Sequence, residues 1–355
     1  MSLAELRRQA RQALDRSSWD FLAGGAGTEQ ALWANAESFR RMSVVPRVLV
    51  DVATPQLAGR ILAGPAAMPV AVAPMAYQRL FHPMGERAVA AAAAAAGVPF
   101  VVSMLSSVSY PEIAATGATT WLQLYWLRDR GRLTDLIDRA EAAGSEALML
   151  TVDVPVMARR RRDVRNGFGL PDEVYAVNLG TETATSAHRG GVGRSAVAEH
   201  SAELIDPSLS WADIEWLRDR SGLPLVLKGV LDPRDAVRAV ELGVDALVVS
   251  NHGGRQLDRA VPPLTALPSI AAAVDGRCEL LLDGGVRSGA DILLALASGA
   301  SAVLVGRPLL WGLAGAGEAG CFRVLAALRE ELVEAMRLAG CQDLAAVRSL
   351  TTVRL

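Results

Sequence analysis

The chain has 355 residues, of which 51% are hydrophobic and 21% charged, a balance typical of a globular protein with a large core. Its 36 basic and 38 acidic residues leave a formal net charge of −2, so we expect no nucleic-acid partner. The three cysteines are scattered and match neither a metal-binding motif nor a disulfide framework, so no metal site is expected.

The N-terminal stretch MSLAELRRQARQALDR has the pattern of a charged amphipathic helix and does not resemble a secretory signal. The longest run of small apolar residues, 88–96, is well short of the roughly 20 residues that a membrane-spanning helix requires. We therefore expect a cytoplasmic protein with no membrane partner.

Short apolar runs recur along the chain, and helical patterns lie between them. The runs predict strands at residues 70–74, 99–103, 119–125, 147–153, 224–229, 246–252, 279–285 and 302–307. They are continuously apolar, as in parallel sheets that are covered on both faces. Eight strands alternating with helices predict an α/β fold of the (β/α)8 TIM barrel type. A doubly wound sheet is the alternative, but no G-x-G-x-x-G motif follows an early strand.

We expect one domain over residues 1–355. It comprises an N-terminal helical extension over 1–65, the barrel over 66–310 and C-terminal helices over 311–355. The extension is expected to cover the lower face of the barrel or to contribute to its mouth. After the fourth strand comes a long segment rich in Gly, Ser, Thr and Ala, and we interpret residues 170–207 as a lid.

Polar residues cluster at the C-terminal tips of the predicted strands, which meet at the face of a barrel where active sites are built. A single polar residue marks only the end of a strand, whereas a full set of such tips indicates a site. The tip residues are Ser103, Gln123, Tyr125, Thr151, Asp153, Lys228, Ser250, His252, Asp283 and Arg307.

Two of these tips, DGGVRSG (283–289) and VGRP (305–308), follow the seventh and eighth strands, where many barrels hold phosphate. Glycines let backbone N–H groups approach an anion, and Arg287 and Arg307 add charge-assisted contacts. Tight turns beside surface arginines are the alternative. The paired occurrence favours a phosphorylated cofactor.

A base and a group that binds carboxylate share one loop, because His252 precedes Arg255 by three residues. Asp153, on another strand, is available to orient the imidazole. Lys228 either forms a salt bridge across the barrel mouth or stabilises negative charge that develops on a cofactor.

The loop SNHGGRQLD (250–258) resembles the signature of the FMN-dependent α-hydroxy-acid oxidases and dehydrogenases. Stretches in matching order also resemble that family: FLAGGAGTE, PRVLVDV, APMAYQRLFHP, LQLYWLRDR, TVDVP, RDVRNGF, PLVLKGV, LDGGVRSG, VGRP and GEAG. The resemblance covers nearly the whole chain apart from about 170–205. It implies a TIM-barrel flavoprotein with FMN as cofactor, assembled as a homotetramer or octamer.

The resemblance implies a catalytic role for several residues. His252 would take the substrate's proton, and Asp153 would pair with it. Arg255 and Arg160 would bind the substrate carboxylate, while Tyr125 would hydrogen-bond the substrate hydroxyl. Arg160 belongs to a run of four arginines, 159–162, which leaves its placement open by one residue.

The resemblance also implies how FMN is held. Lys228 would lie at the N1/O2 edge of the ring, and the backbone of Ala76 would lie near N5. The other cofactor-binding residues would be Ser103, Gln123, Thr151 and Ser250 on the ring or ribityl chain, Asp283 on the ribityl chain, and Gly285, Arg287, Gly306 and Arg307 at the phosphate.

Two positions depart from the family pattern. Phe21 stands where many members have a tyrosine that binds the carboxylate, and Leu105 stands where glycolate-oxidising members have a tryptophan. Both changes make the pocket more apolar and roomier, which favours an aryl substrate. We expect oxidation of (S)-mandelate or 4-hydroxymandelate to the 2-oxo acid, with O2 reduced to hydrogen peroxide.

Other functions stay open at this point. The substrate is alternatively an aliphatic 2-hydroxy acid such as lactate or glycolate, and the acceptor is alternatively a quinone, as in related dehydrogenases. An isopentenyl-diphosphate isomerase would share the phosphate site, but it would not need the pairing of His252 with Arg255. A flavin-binding scaffold without activity is the non-enzymatic alternative.

Overall fold

The computed structural model describes residues 2–62, 64–180, 187–188 and 195–355. Its strands are β1 (Met42–Val44), β2 (Gly59–Ile61), β3 (Gly64–Ala66), β4 (Val70–Val72), β5 (Phe100–Ser103), β6 (Thr120–Leu124), β7 (Leu148–Thr151), β8 (Leu225–Val230), β9 (Ala246–Val249), β10 (Glu279–Asp283), β11 (Ala302–Val305) and β12 (Thr352–Arg354). Strands β4 to β11 pair in parallel and close into a barrel, in which β11 pairs with β4. The predicted (β/α)8 fold and its eight strands are confirmed.

The helices are α1 (Leu3–Ala13), α2 (Arg16–Ala23), α3 (Gln30–Arg40), α4 (Gly85–Ala96), α5 (Tyr110–Ala114), α6 (Arg130–Ala142), α7 (Arg161–Asn166), α8 (Ala196–Leu204), α9 (Trp211–Arg220), α10 (Pro233–Glu241), α11 (Pro263–Val274), α12 (Gly289–Ala297), α13 (Arg307–Ala339) and α14 (Leu344–Arg348). None of these described helices is long and apolar enough to cross a membrane.

The barrel strands bury apolar side chains on both faces of the sheet. Alternate residues such as Val101, Trp121 and Met149 form one buried cluster inside the barrel, while their neighbours pack outward against the helices. Ile61, from the β2–β3 hairpin, joins the inner cluster at the N-terminal end of the barrel. Because both faces are buried, the polar residues of the barrel strands lie at or within two residues of the strand ends.

The N-terminal extension reaches both the outer helices and the mouth of the barrel. Helix α1 packs on α13, and the end of α2 brings Phe21 and Leu22 to the cavity at the mouth. Helix α13 starts at Arg307, directly after β11, so the C-terminal helical part begins before residue 311. The chain then returns to its start, because β12 pairs antiparallel with β1.

The segment between β7 and β8 contains helices as well as loops. Helix α7 follows directly on Arg160, and Val197 and Ser201 of α8 line the cavity. The middle of the predicted lid, residues 181–186 and 189–194, lies outside the described residues.

Candidate active site

A cavity of about 1300 Å³, partly open to solvent, lies at the C-terminal end of the barrel. This volume includes the open solvent at the mouth of the cavity. The predicted site residues that line it are Phe21, Ala76, Ser103, Leu105, Gln123, Tyr125, Thr151, Arg160, Lys228, His252, Arg255, Asp283, Gly285, Arg287, Gly306 and Arg307.

Two of the predicted residues lie behind the cavity wall. Asp153 Oδ1 accepts a hydrogen bond from Nδ1 of His252. The hydroxyl of Ser250 is completely buried, where it accepts hydrogen bonds from Lys228 Nζ and from the backbone N–H of His252, both at 3.0 Å. Ser250 therefore supports two cavity residues instead of lining the cavity with them.

His252 sits in a tight turn directly after β9. Its φ is +58°, and Gly253 and Gly254 continue the turn with φ of +62° and +75°. A Cβ at Gly254 would lie 2.5 Å from the backbone nitrogen of Leu32, so only glycine fits there. The turn directs the imidazole to the cavity, with Nδ1 2.9 Å from Asp153 Oδ1. Nε2 is then the ring nitrogen available to a ligand.

The protonation states of this pair follow from burial and charge. Burial lowers the pKa of His252 and thereby favours the neutral imidazole. The attraction of Asp153 acts in the opposite direction but does not outweigh burial. Burial alone would raise the pKa of Asp153, but His252 and Lys228 outweigh it and lower that pKa. A neutral imidazole held by an ionised carboxylate is a general base.

Two arginines form a cationic site beside an aromatic ring. The guanidinium carbons of Arg160 and Arg255 lie 5.8 and 5.1 Å from the centroid of the Phe21 ring. Arg255 Nη1 donates to the carbonyls of Phe21 and Gly24 at the end of α2, at 2.7 and 2.9 Å. Burial and the charge of Arg255 lower the pKa of Arg160 to about 9, so it remains cationic at neutral pH. Together they can bind a carboxylate.

The geometry distinguishes Arg160 from its neighbours in the arginine run. Arg159 and Arg161 are exposed to solvent. Arg162 makes two hydrogen bonds of 2.7 Å to Glu29 and a longer one to Asp20, which ties α7 to the N-terminal extension. Arg160 is the member of the run that lines the main cavity.

The phenol of Tyr125 is close enough to Asp153 and to the two arginines for their charges to affect its pKa. Burial, with the nearby charge of Asp153, raises the pKa of its phenol to about 12. The hydroxyl therefore stays protonated and can donate a hydrogen bond to a ligand at any ordinary pH.

Polar groups at the strand tips fit the polar edge and ribityl chain of FMN. Lys228 Nζ lies 2.8 Å from Asp283 Oδ2, and the charges of Asp283 and Asp153 raise the pKa of Lys228 against the opposing effect of burial. The second carboxylate oxygen, Asp283 Oδ1, is buried and has no hydrogen-bond partner among the described residues, and a ribityl hydroxyl would supply one. Ser103, Gln123 and Thr151, on the neighbouring strands β5 to β7, form a hydrogen-bonded row that also lines the cavity, with donor–acceptor distances of 3.0 Å.

The turns after β10 and β11 fit a phosphate group. Gly284 and Gly285 have φ of +90° and +100°, and a Cβ at Gly285 would lie 2.7 Å from the carbonyl oxygen of Asn35. Arg287 and Arg307 line the same end of the cavity, and both donate hydrogen bonds to backbone carbonyls. Burial lowers the pKa of Arg287 to about 10. An anionic phosphate would neutralise both guanidinium groups.

Several cavity residues were not predicted from the sequence. They are mainly apolar and include Phe81, Met157, Val197 and Ile205. Gln256 also lines the cavity, and it holds the loop after β7 through hydrogen bonds to the carbonyls of Asp153 and Val156. Gln256 lies within SNHGGRQLD, so the motif offered a signal, whereas no motif marked Val197 or Ile205.

The fold and site define a flavin-dependent barrel enzyme that binds a small carboxylate, and comparison with known proteins agrees. The family model described as FMN-dependent dehydrogenase matches residues 10–353. The chain belongs to this family, and it is an FMN-dependent enzyme acting on the CH–OH group of 2-hydroxy acids.

Individual relatives cover essentially the full chain. A 4-hydroxymandelate oxidase of Amycolatopsis orientalis is 54% identical over 99% of this chain and 98% of its own length. An L-lactate oxidase of Nostoc sp. is 48% identical, with coverage of 97% and 95%. A crystal structure of mandelate oxidase with (S)-4-hydroxymandelic acid superposes with a TM-score of 0.97, at 54% identity and 99% coverage of both chains.

Proposed function

We propose that the enzyme oxidises (S)-mandelate or (S)-4-hydroxymandelate to the corresponding 2-oxo acid, with O2 as the electron acceptor and hydrogen peroxide as the second product. The observation that carries this proposal is an apolar chamber beside the two-arginine site. Its walls include Phe21, Phe81, Leu105, Met157 and Val197. The arginines match a carboxylate and the chamber matches an aryl group. The 54% sequence identity with a 4-hydroxymandelate oxidase supports the same substrate class.

The chain's own residues supply binding and proton transfer. Arg160 and Arg255 bind the substrate carboxylate, and this fixes the α-carbon near His252. Tyr125 donates a hydrogen bond to the substrate hydroxyl oxygen. His252 Nε2 takes a proton from the substrate, and Asp153 stabilises the imidazolium that forms.

FMN, when bound, supplies the two-electron acceptor for oxidation at the α-carbon. Lys228 would face the N1/O2 edge of the ring, where its positive charge favours added electrons. Asp283 would hold the ribityl chain, while Gly285, Gly306, Arg287 and Arg307 would hold the phosphate. The backbone of Ala76 would face the ring.

The aromatic ring at position 21 makes the apolar chamber continuous with the carboxylate site. Phe21 stacks on Phe168 at a centroid distance of 4.5 Å and lies 6.5 Å from Phe81. A phenol at position 21 would place a polar oxygen near the carboxylate-binding arginines. Phenylalanine instead leaves the carboxylate to Arg160 and Arg255, and it offers a ring face to an aryl substrate.

The test is anaerobic mixing of the FMN-loaded enzyme with one acid at a time, followed by admission of air. We expect (S)-mandelate and (S)-4-hydroxymandelate to bleach the flavin absorbance faster than L-lactate, glycolate or 2-hydroxyoctanoate. Rapid return of colour in air, with stoichiometric hydrogen peroxide, is expected of an oxidase. Faster bleaching by an aliphatic acid would overturn the aryl assignment. Recovery only with a quinone would overturn the assignment of O2.

The assembly and location are part of the proposal. We propose a homo-oligomer, a tetramer or octamer, in the cytoplasm. Light scattering of the purified enzyme measures the first, and a monomeric mass would contradict it. Fractionation of the source cells tests the second.

A further inference from the structure

Glu86 is a buried carboxylate that lies outside the cavity and takes no part in the proposed chemistry. Its side chain is completely inaccessible to solvent. Oε1 accepts hydrogen bonds from the backbone N–H groups of Gln78 and Ser107, at 3.0 and 2.9 Å, and Oε2 accepts one of 2.7 Å from Ser107 Oγ. No ion pair to Glu86 is present within the described residues. Burial raises its pKa.

The donors to Glu86 come from two different loops. Gln78 begins a short 3-10 helix in the loop region between β4 and α4, and Ser107 belongs to the loop after β5. The same loops meet at two further points, where the N–H of Arg79 donates to Ser107 Oγ at 2.9 Å and the N–H of Tyr77 donates to the carbonyl of Leu105 at 3.1 Å. Glu86 and Ser107 therefore form a clasp between the loops.

Both loops carry cavity residues close to the clasp. Ala76 is two residues before Gln78, and Leu105 is two residues before Ser107, and both line the cavity. Between Ala76 and Gln78 the backbone passes through Tyr77, whose φ of +55° is unfavourable for a residue with a side chain. A backbone in that conformation persists where its surroundings hold it in place.

We infer that Glu86 is a positioning residue, which fixes the Ala76 segment against the Leu105 loop and thereby sets where the backbone beside the flavin lies. The inference depends on the proposed placement of FMN next to Ala76, but not on which hydroxy acid is oxidised. Since three donors converge on the carboxylate, the contribution comes from accepting hydrogen bonds in one geometry. Glu86 does not line the cavity. Its hydrogen bonds go to Gln78 and Ser107, and any effect on the cavity passes through the backbone between these residues and Ala76 or Leu105.

A helix-stabilising role is the competing explanation. Glu86 lies in the first turn of α4, where a negative charge favours the helix. That role alone predicts a lower melting temperature with an unchanged flavin site. The positioning role predicts a change at the flavin itself.

The experiment compares Glu86→Ala, Glu86→Gln and Ser107→Ala as purified holoenzymes. Glu279→Gln is the matched control, because Glu279 also accepts a backbone hydrogen bond, 2.7 Å from Leu62 N, but at the opposite end of the barrel. The measurements are the visible absorption spectrum and fluorescence of bound FMN, its reduction potential, and kcat and KM for the best substrate acid.

We expect Glu86→Ala to shift the flavin spectrum and to lower kcat by about tenfold or more, because small misplacements of reacting groups have effects of that order. KM is expected to change by less than about threefold, since the carboxylate-binding arginines lie on other loops. Ser107→Ala should have the same effects to a smaller degree. Glu86→Gln should retain most of the activity, because one amide oxygen can accept both backbone N–H groups.

Two results would overturn the inference. The first is a Glu86→Ala enzyme with wild-type spectrum, potential and kcat but a lower melting temperature. The second is a Glu86→Gln enzyme as impaired as Glu86→Ala, which would assign the effect to charge. If Glu86→Ala does not fold, Ser107→Ala decides: a wild-type flavin spectrum and kcat in that variant would equally contradict positioning. Failure of every acid to bleach the wild-type flavin would instead contradict the proposed function.

Discussion

His252 Nδ1 lies 2.9 Å from Asp153 Oδ1, although the two residues are 99 positions apart in the chain. They follow β9 and β7, which are joined in the barrel through β8. The separation of these strand ends is set by the barrel, so the base and its carboxylate are held in place before any substrate binds.

Removal of the base should greatly slow substrate oxidation and leave the flavin bound. We expect His252→Gln to lower the rate of anaerobic flavin reduction by about 10²–10⁴-fold, the usual contribution of a general base. Stopped-flow absorbance measures this rate. His82→Gln is the control, because His82 lies outside the cavity lining. A His252→Gln enzyme that retains wild-type reduction rates would remove His252 from the mechanism.

The pH profile should report the state of His252. The base acts when it is deprotonated, so kcat/KM rises with pH through the pKa of the imidazole. Burial lowers that pKa from its ordinary value of 6.5, so activity should persist to more acidic pH than a free imidazole would allow. Asp153→Asn removes an attraction that raises the pKa. It should shift the acidic limb to lower pH and reduce the maximal rate, and a shift to higher pH would contradict this assignment.

The arginine run offers a matched pair of substitutions. Arg160 lines the cavity and Arg161, its neighbour, is exposed. We expect Arg160→Met to lower kcat/KM by an amount equivalent to about 2–5 kcal/mol, because it removes a buried partner of the substrate carboxylate. Arg161→Met should change kcat/KM by less than about twofold. Steady-state kinetics with the best acid measure both, and equal losses in the two variants would misplace the carboxylate site.

Chamber size should decide between aryl and small acids. Leu105→Trp fills part of the apolar chamber, so we expect kcat/KM for mandelate to fall by at least about tenfold relative to glycolate. Leu105→Met, of similar volume, is the control and should preserve the preference. The ratio of kcat/KM for the two acids is the measurement. An unchanged ratio in Leu105→Trp would place the aryl group elsewhere.

The buried pair of Lys228 and Asp283 should matter for both stability and cofactor binding. Lys228→Met removes the cation that lies 2.8 Å from the buried carboxylate of Asp283, so we expect a loss of about 3–5 kcal/mol in the free energy of unfolding. Adding Asp283→Leu should restore part of that stability without restoring flavin reduction. Urea unfolding and stopped-flow absorbance separate these effects. A Lys228→Met enzyme with unchanged stability would contradict the strength assigned to the pair.

The amino-acid sequence was sufficient to predict the eight barrel strands, because a continuous apolar run bounded by polar residues is a local signal. It also predicted which strand tips carry the site residues, and the structure brings nearly all of those residues to one cavity. The signature loop identified the family, since the histidine, glycines and arginine of that turn are adjacent in the chain.

The folded structure was needed for features that depend on side-chain direction and on packing between distant segments. It distinguished Arg160 from its neighbours, because the turn before α7 determines which guanidinium is directed inward. It showed that Ser250 hydrogen-bonds to Lys228 and does not line the cavity. It also showed helix α8 where a loop was expected, with Val197 in the cavity wall. The clasp at Glu86 has no local signature, since its donors come from loops that meet only when the barrel closes.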